Sequence, residues 1–188
     1  MKSIRFLVAA LAVGFAAPAF AQQDGAFQAA VDLHPVIPLS DGAGEGVGFG
    51  FDVRPGYAMK MEGFSLVPEA VIGWNSFATG SDLASASLFR ILGGARAVFG
   101  EGQVLPAAYA HVGFGSYSAS VEIPPLFPGM QTVTVDASKS TAIVELGGAL
   151  DYALNQNFTL GAHAGLNFMT ASGAGSYLTL GAQAGYRF

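Results

Sequence analysis

The chain has 188 residues, of which 52% are hydrophobic and only 11% charged, with 26 glycines, no cysteine and a net charge of −5. Soluble domains carry roughly 25% charged residues, and the lack of a basic excess argues against nucleic acid as a partner. Without cysteine there is no disulfide framework, and beyond the amino terminus no apolar run reaches the roughly 18 residues of a membrane helix. The apolar excess must lie in shorter, alternating segments.

Lys2 and Arg5 precede an apolar stretch from Phe6 to Ala16, and Ala19-Phe20-Ala21 follows as a small-residue cleavage site. This is the pattern of an export leader. Residues 1–21 are expected to be removed, leaving 22–188 as one domain, more acidic still once Lys2 and Arg5 are gone.

Eight alternating segments follow, and strict alternation over such lengths is a strand signal. The first runs from Ala26 to His34 and places Phe27, Ala29, Val31 and Leu33 on one face. Pro35, Pro38 and Asp41-Gly42 then form a loop. The second, from Gly46 to Tyr57, sets Val47, Phe49, Phe51 and Val53 against Gly48, Gly50, Asp52 and Arg54. The third, Phe64 to Asn75, carries Leu66, Ala70, Ile72 and Trp74 on its bulky face and Glu69 and Gly73 opposite. Phe77 to Ser85 is a looser polar stretch. The fourth segment, Ser87 to Phe99, opposes Phe89, Ile91, Ala95 and Ala97 to Arg90, Gly94 and Arg96.

After the Gly100–Gln103 turn, the fifth segment, Val104 to Gly115, puts Ala108, Ala110, Val112 and Phe114 against Tyr109, His111 and Gly113. A long connection from Ser116 to Ser140 separates it from the sixth, Thr141 to Leu154, in which Val144, Leu146 and Leu150 oppose Glu145, Gly147 and Asp151. Asn155-Gln156 turns the chain into the seventh, Asn157 to Met169. The eighth, Tyr177 to Phe188, alternates to the last residue, with Leu178, Leu180, Ala182, Ala184, Tyr186 and Phe188 on one side and Gln183 and Arg187 on the other.

Three patterns agree. Connections alternate between long and short, as in transmembrane barrels, where an even strand count places both termini on the side of the short turns. Every charge within the segments falls on the small-residue face: Asp32, Asp52, Arg54, Glu69, Arg90, Arg96, Glu145, Asp151 and Arg187. Aromatic residues of the bulky face gather at both ends, with Phe27, Tyr57, Phe64, Phe99, Phe158, Tyr186 and Phe188 at one rim and Phe49, Trp74, Phe89, Phe114 and Phe168 at the other. Two aromatic girdles around an aliphatic band are what a bilayer selects.

The whole chain after the leader thus resembles the small eight-stranded outer-membrane barrels of the OmpA/OmpX type. The resemblance implies an all-β, eight-stranded antiparallel up-and-down transmembrane β-barrel in the outer membrane of a Gram-negative bacterium, with both termini periplasmic. It implies outer-membrane lipid and the outer-membrane assembly machinery as partners. The terminal strand, with Tyr186 and Phe188, is the expected assembly signal, although Gln183 stands where the family often carries a glycine.

Folding the second and third segments about Lys60 brings Asp52 near Glu69, with Arg90 and Arg96 as the available cations and Glu145 completing a lumen charge cluster. Such a cluster fills and rigidifies a narrow lumen, while a gated ion path is the functional alternative. His34, His111 and His163 share the inward face but lie on strands one, five and seven at different heights, which favours lumen hydrogen bonds over a metal site. His34, Ser40 and Asp41 form the one His–Ser–acid grouping, as in lipid A-modifying barrels, and no G-x-S-x-G motif accompanies them.

Within residues 116–140, Ser120–Ile123 and Gln131–Val135 alternate around Pro124–Gly129. They predict a hairpin beyond the membrane with an apolar tip at Leu126, Phe127 and Met130, a candidate site for an extracellular partner. The expected function is a monomeric, non-enzymatic surface barrel, needing no cofactor and having little or no pore activity. A narrow ion or solute channel, a lipid A-modifying enzyme and a soluble lipocalin-like binder are the alternatives. The last would leave a Gly-rich outer surface short of lysine, which solubility disfavours.

Overall fold

The computed structural model describes residues 25–40, 46–81, 83–100, 102–124, 132–170 and 175–188. The expected leader, Asp41 and the tip residues Leu126, Phe127 and Met130 lie outside the described residues.

Eight antiparallel strands form the described chain: β1 (Gly25–Pro38), β2 (Gly46–Lys60), β3 (Phe64–Ala78), β4 (Ala84–Phe99), β5 (Val104–Ile123), β6 (Val133–Ala153), β7 (Phe158–Met169) and β8 (Ser176–Arg187). Each pairs with its sequence neighbours, and β8 closes onto β1, giving a closed barrel. The closing ladder joins Gln28 to Arg187 and Val31 to Ala184, and the Phe188 amide donates to the Phe27 carbonyl at 2.9 Å. The terminal strand thus pairs on both sides, with β1 and with β7, and closure is what a hydrocarbon environment demands.

The alternation sorts as expected. Val31, Leu33, Val53, Ile72, Ile91, Leu146, Leu150, Leu160, Leu166 and Leu180 form an exposed outer band. Phe27 and Tyr57 meet edge to face at 5.0 Å, as do Phe158 and Tyr186 at 4.8 Å and Tyr186 and Phe188 at 4.8 Å, all at the end that holds the chain termini. The tight turns at this terminal end use Gly63 and Gly100, both at φ +84°, a conformation that favours glycine. At the third turn, the Asn155 side chain accepts hydrogen bonds from the amides of Asn157 (2.8 Å) and Phe158 (2.9 Å).

Several strands run further than the alternating segments. The hairpin expected within residues 116–140 is present as a direct continuation of the barrel, with β5 and β6 carrying their ladder from Phe114↔Ala142 to Ile123↔Val133. The loop expected from Pro35 to Pro38 is instead the end of β1. The Phe77–Ser85 stretch also begins and ends in strand, with Phe77 buried at the end of β3.

At the loop end, an apolar cluster that includes Val36, Phe77, Leu88, Ile143, Met169 and Tyr177 packs inside the barrel. Phe77 stacks edge-on to Tyr177 with centroids 5.5 Å apart. At the terminal end the lumen widens into a vestibule of about 410 Å³, reached by Lys60, Glu69, Arg96, Asp151 and Gln183.

Candidate functional site

Between the apolar cluster and the vestibule lies a layer of buried charge. It contains Asp32, Asp52, Arg54, Glu69, Arg90, Arg96, Glu145 and Asp151, all buried. A buried charge is tolerated only where a partner and hydrogen bonds satisfy it, so the connectivity of this layer matters more than its composition.

Arg90 of β4 is fully buried and reaches across β3 to Asp52 of β2, with Nε donating to Oδ1 at 3.2 Å and Nη2 to Oδ2 at 2.5 Å. The strand between them contributes Gly73, which faces Asp52 on one side and Arg90 on the other. A Cβ there would collide with the Asp52 carboxylate, so glycine creates the gap through which the guanidinium reaches. The other guanidinium nitrogen, Nη1, donates to Asn167 at 2.6 Å and to the Tyr177 hydroxyl at 3.4 Å, and lies 3.7 Å from Glu145.

Glu145 in turn meets His111. The His111 ring places Nδ1 3.0 Å from Glu145 and Nε2 3.0 Å from Glu69. Glu69 also lies 3.5 Å from Arg96 Nε, and Arg96 Nη1 donates to Asp151 at 3.1 Å. Gln183 bridges this group to the next: it accepts from Arg96 at 3.2 Å, accepts from Arg54 and donates to Asp151. The contact between Gln183 and Asp151 depends on Gly161, which stands between them in the ladder and leaves their side chains room to meet. Arg54 completes the layer by donating to Asp32 at 2.8 Å. The Tyr109 ring is flanked by the Arg54 and Arg96 guanidinium groups, 5.8 and 5.5 Å from its centroid.

The register separates two residues that the sequence placed together. Asp52 lies opposite Gly73 and Glu69 opposite Gly56, so the two carboxylates are two inward positions apart along the strands. Each has its own cation, Asp52 with Arg90 and Glu69 with Arg96 and His111. The cause is that the β2–β3 turn is three residues long, from Met61 to Gly63. That fixes a ladder whose offset cannot be read from alternation alone.

The histidines also differ from expectation. His34 and His163 lie at the same level, their rings 5.7 Å apart and edge to face. Gly181 of β8 separates their strands and lets the rings meet. His34 bonds to Asn75 at 3.0 Å, and only His111 lies apart, between Glu69 and Glu145. Among the described residues no three potential ligands converge as a metal ion would require. For the His–Ser–acid grouping, His34 is buried and turned to Asn75, while the Ser40 hydroxyl accepts the Ser176 amide at 2.9 Å.

The sequence offered no sign of the apolar closure. Leu88, Leu92 and Val71 are inward-facing yet flanked by Phe89, Ile91 and Ile72, so each sits in a run of apolar residues where alternation is silent. Tyr177 shares the parity of Gln183 and Arg187 on the inward face of the eighth segment, and its hydroxyl joins the two layers by contacting Asn75 (3.2 Å) and Arg90.

A family model described as the outer membrane protein beta-barrel domain matches residues 7–188. Among solved structures, a major outer membrane protein from Thermus thermophilus superposes with a TM-score of 0.61 at 15% identity, over 88% of this chain and 100% of that one. Ail, the attachment invasion locus protein of Yersinia pestis, gives 0.53 at 17% identity over 87% and 97%. Neisserial surface protein A gives 0.51 at 16% identity over 88% and 96%. Identities this low speak for the fold alone. Among curated proteins, no sequence matches the chain.

Proposed function

The chain belongs to the outer membrane protein beta-barrel family, and from that premise we infer that it is a closed, non-enzymatic barrel that supports the envelope and displays the β5–β6 hairpin at the cell surface. The observation that supports this reading is the apolar packing inside the loop end of the barrel. Val36, Leu88, Ile143 and Tyr177 are fully buried at the loop end, directly beyond an ion-pair layer in which Arg54, Arg90 and Arg96 are all engaged. On this reading, water and ions enter a vestibule at the terminal end and meet, among the described residues, an apolar cluster at the other.

The orientation follows from barrel assembly. Short turns and both termini belong on the periplasmic side, which puts the vestibule in the periplasm and the hairpin outside. Tyr186 and Phe188 then form the end of the strand offered to the assembly machinery. Catalysis is disfavoured because His34 is occupied by Asn75 within the sealed region. The lumen charges Asp52, Glu69, Arg90, Arg96 and Glu145 act in this account as rigid filling rather than as a permeation path.

Ion flux into liposomes carrying the purified barrel tests the reading, with Glu69→Ala and Arg96→Ala variants alongside the wild type. All three should be as tight as empty liposomes; flux that rises in either variant would establish a gated path. External protease on whole cells should cut the hairpin and spare the terminal end, and the reverse pattern would overturn the orientation.

A further inference from the structure

The vestibule at the terminal end is made by one row of the barrel wall whose inward side chains are all small. Ala30 of β1 lies opposite Gly185 of β8, Gly185 opposite Thr159 of β7, and Thr159 opposite Ala153 of β6. The next inward row toward the middle of the barrel, in the same four strands, is Asp32, Gln183, Gly161 and Asp151, where Gln183 and Asp151 meet over the glycine. The next row toward the rim pairs Gln28 with Arg187. There the Arg187 amide donates to the Asn157 carbonyl and Asn157 Nδ2 donates to the Arg187 carbonyl, both at 2.7 Å. A shelf of small residues thus separates a polar floor from a polar rim. The space between them, about 410 Å³, falls within the roughly 300–1,000 Å³ of small-ligand sites.

The two levels differ in sign. At the floor, Glu69 and Asp151 share the Arg96 guanidinium, at 3.5 and 3.1 Å, and Arg96 Nε makes no hydrogen bond. His111, the other neighbour of Glu69, is itself shared with Glu145, and Arg54 is paired with Asp32. Two carboxylates against one guanidinium leave this level acidic. Toward the rim, Lys60 of β2 and Arg187 of β8 line the space, and the Arg187 guanidinium has no hydrogen bond or ion pair among the described residues. Both cations are inward by parity, Lys60 with Asp52 and Arg54, Arg187 with Gln183, so they face the vestibule and not the lipid headgroups. In a chain with 13 acidic residues and 8 basic ones, a basic rim runs against the overall charge.

We propose that the vestibule binds a short peptide with free ends and small side chains, its ammonium group toward Glu69 and Asp151 and its carboxylate toward Lys60 and Arg187. The length follows from the strand: Gln183 and Arg187 are four residues apart, roughly 13 Å, and an extended tripeptide spans roughly 10 Å. The small side chains follow from the shelf of Ala30, Gly185 and Ala153. Gln28, Asn157 and Thr159 supply amide and hydroxyl partners for the peptide backbone. The site lies outside the apolar cluster, so binding does not depend on closure of the lumen. The orientation proposed above makes the periplasm the source of the ligand.

Calorimetric titration of tri-alanine into the full chain in nanodiscs provides the test, with N-acetyl-tri-alanine and tri-alanine amide as probes that each lack one charge. Tri-alanine should bind saturably, and each blocked peptide at least about tenfold more weakly, the scale of a lost charged hydrogen bond. Arg187→Gln should weaken tri-alanine by about tenfold and leave the amide unchanged, because the amide has no carboxylate for Arg187 to hold. Lys60→Gln, away from the terminal strand, should do the same. Heat-modifiable gel mobility reports that each variant has closed into a barrel.

No saturable binding to the wild type, equal binding of all three peptides, or tri-alanine binding that survives both Arg187→Gln and Lys60→Gln would overturn the proposal. So would a loss in Arg187→Gln as large for the amide as for tri-alanine, which would make Arg187 a structural residue. Ion flux through a barrel that still binds tri-alanine refutes the proposed closure and leaves this site standing.

Discussion

At the scale of single residues, Arg90 shows why a membrane barrel can hold so much charge inside so small a lumen. Its guanidinium has acceptors on Asp52, Asn167 and Tyr177 and is fully buried. Removing one partner leaves the other charge buried without compensation, which typically costs about 3–5 kcal/mol. Arg90→Leu should therefore lower the unfolding free energy of the bilayer-refolded barrel by about that amount, measured by urea titration. The double change Asp52→Leu with Arg90→Leu should recover much of the loss, because no orphaned charge remains. Gly73→Val should weaken the same pair with neither partner altered, since its side chain would enter the space the Asp52 carboxylate occupies; an unfolding midpoint equal to wild type would contradict the role assigned to that gap. The inward placement of these charges was legible in the sequence, because lipid excludes them from the bulky face. Arg90 and Arg96 were also legible as the cations for Asp52 and Glu69, but which serves which was not, because Asp52 and Arg90 belong to strands that are not neighbours and a glycine between them permits contact.

At the scale of strands, the alternation set both faces and closure, and the faces exchange character where the environment changes. Lipid requires the outward face to be apolar up to Phe114; water requires it to be polar from Ser116. Alternation on either side of Pro124–Gly129 still marked this part as a hairpin, and the ladder makes it continuous with the barrel. The boundary has a direct consequence. Leu146→Arg, in the exposed aliphatic band, should destabilise the barrel by about 2–4 kcal/mol, whereas Ser118→Arg, outward on the same sheet but above the boundary, should stay within about 0.5 kcal/mol of wild type. Similar penalties at both sites would place Ser118 in lipid. The terminal strand carries a further prediction. Phe188 bonds through its amide to Phe27 and packs its ring against Tyr186, so a chain ending at Arg187 should reach the outer membrane in lower yield while the fraction that inserts unfolds near the wild-type midpoint. Equal yield would remove the terminal aromatic residue from assembly.

The described barrel is divided along its axis into a vestibule, an ion-pair layer and an apolar cluster, which the proposed function reads as a closure. The first two follow from inward-facing polar residues that the sequence displays. The third depends on Leu88, Ile143 and Met169 converging from separate strands, which alternation along one strand cannot disclose. This division makes closure, rather than the charge cluster, the property that separates a structural surface barrel from a channel. Single-channel recording across a planar bilayer tests it most directly, comparing the wild type with a variant that removes both inner layers through Leu88→Ala, Arg90→Ala and Tyr177→Ala. The account predicts no conductance steps from the wild type and steps from the variant. Discrete steps from the wild type, of the same size in the variant, would contradict it.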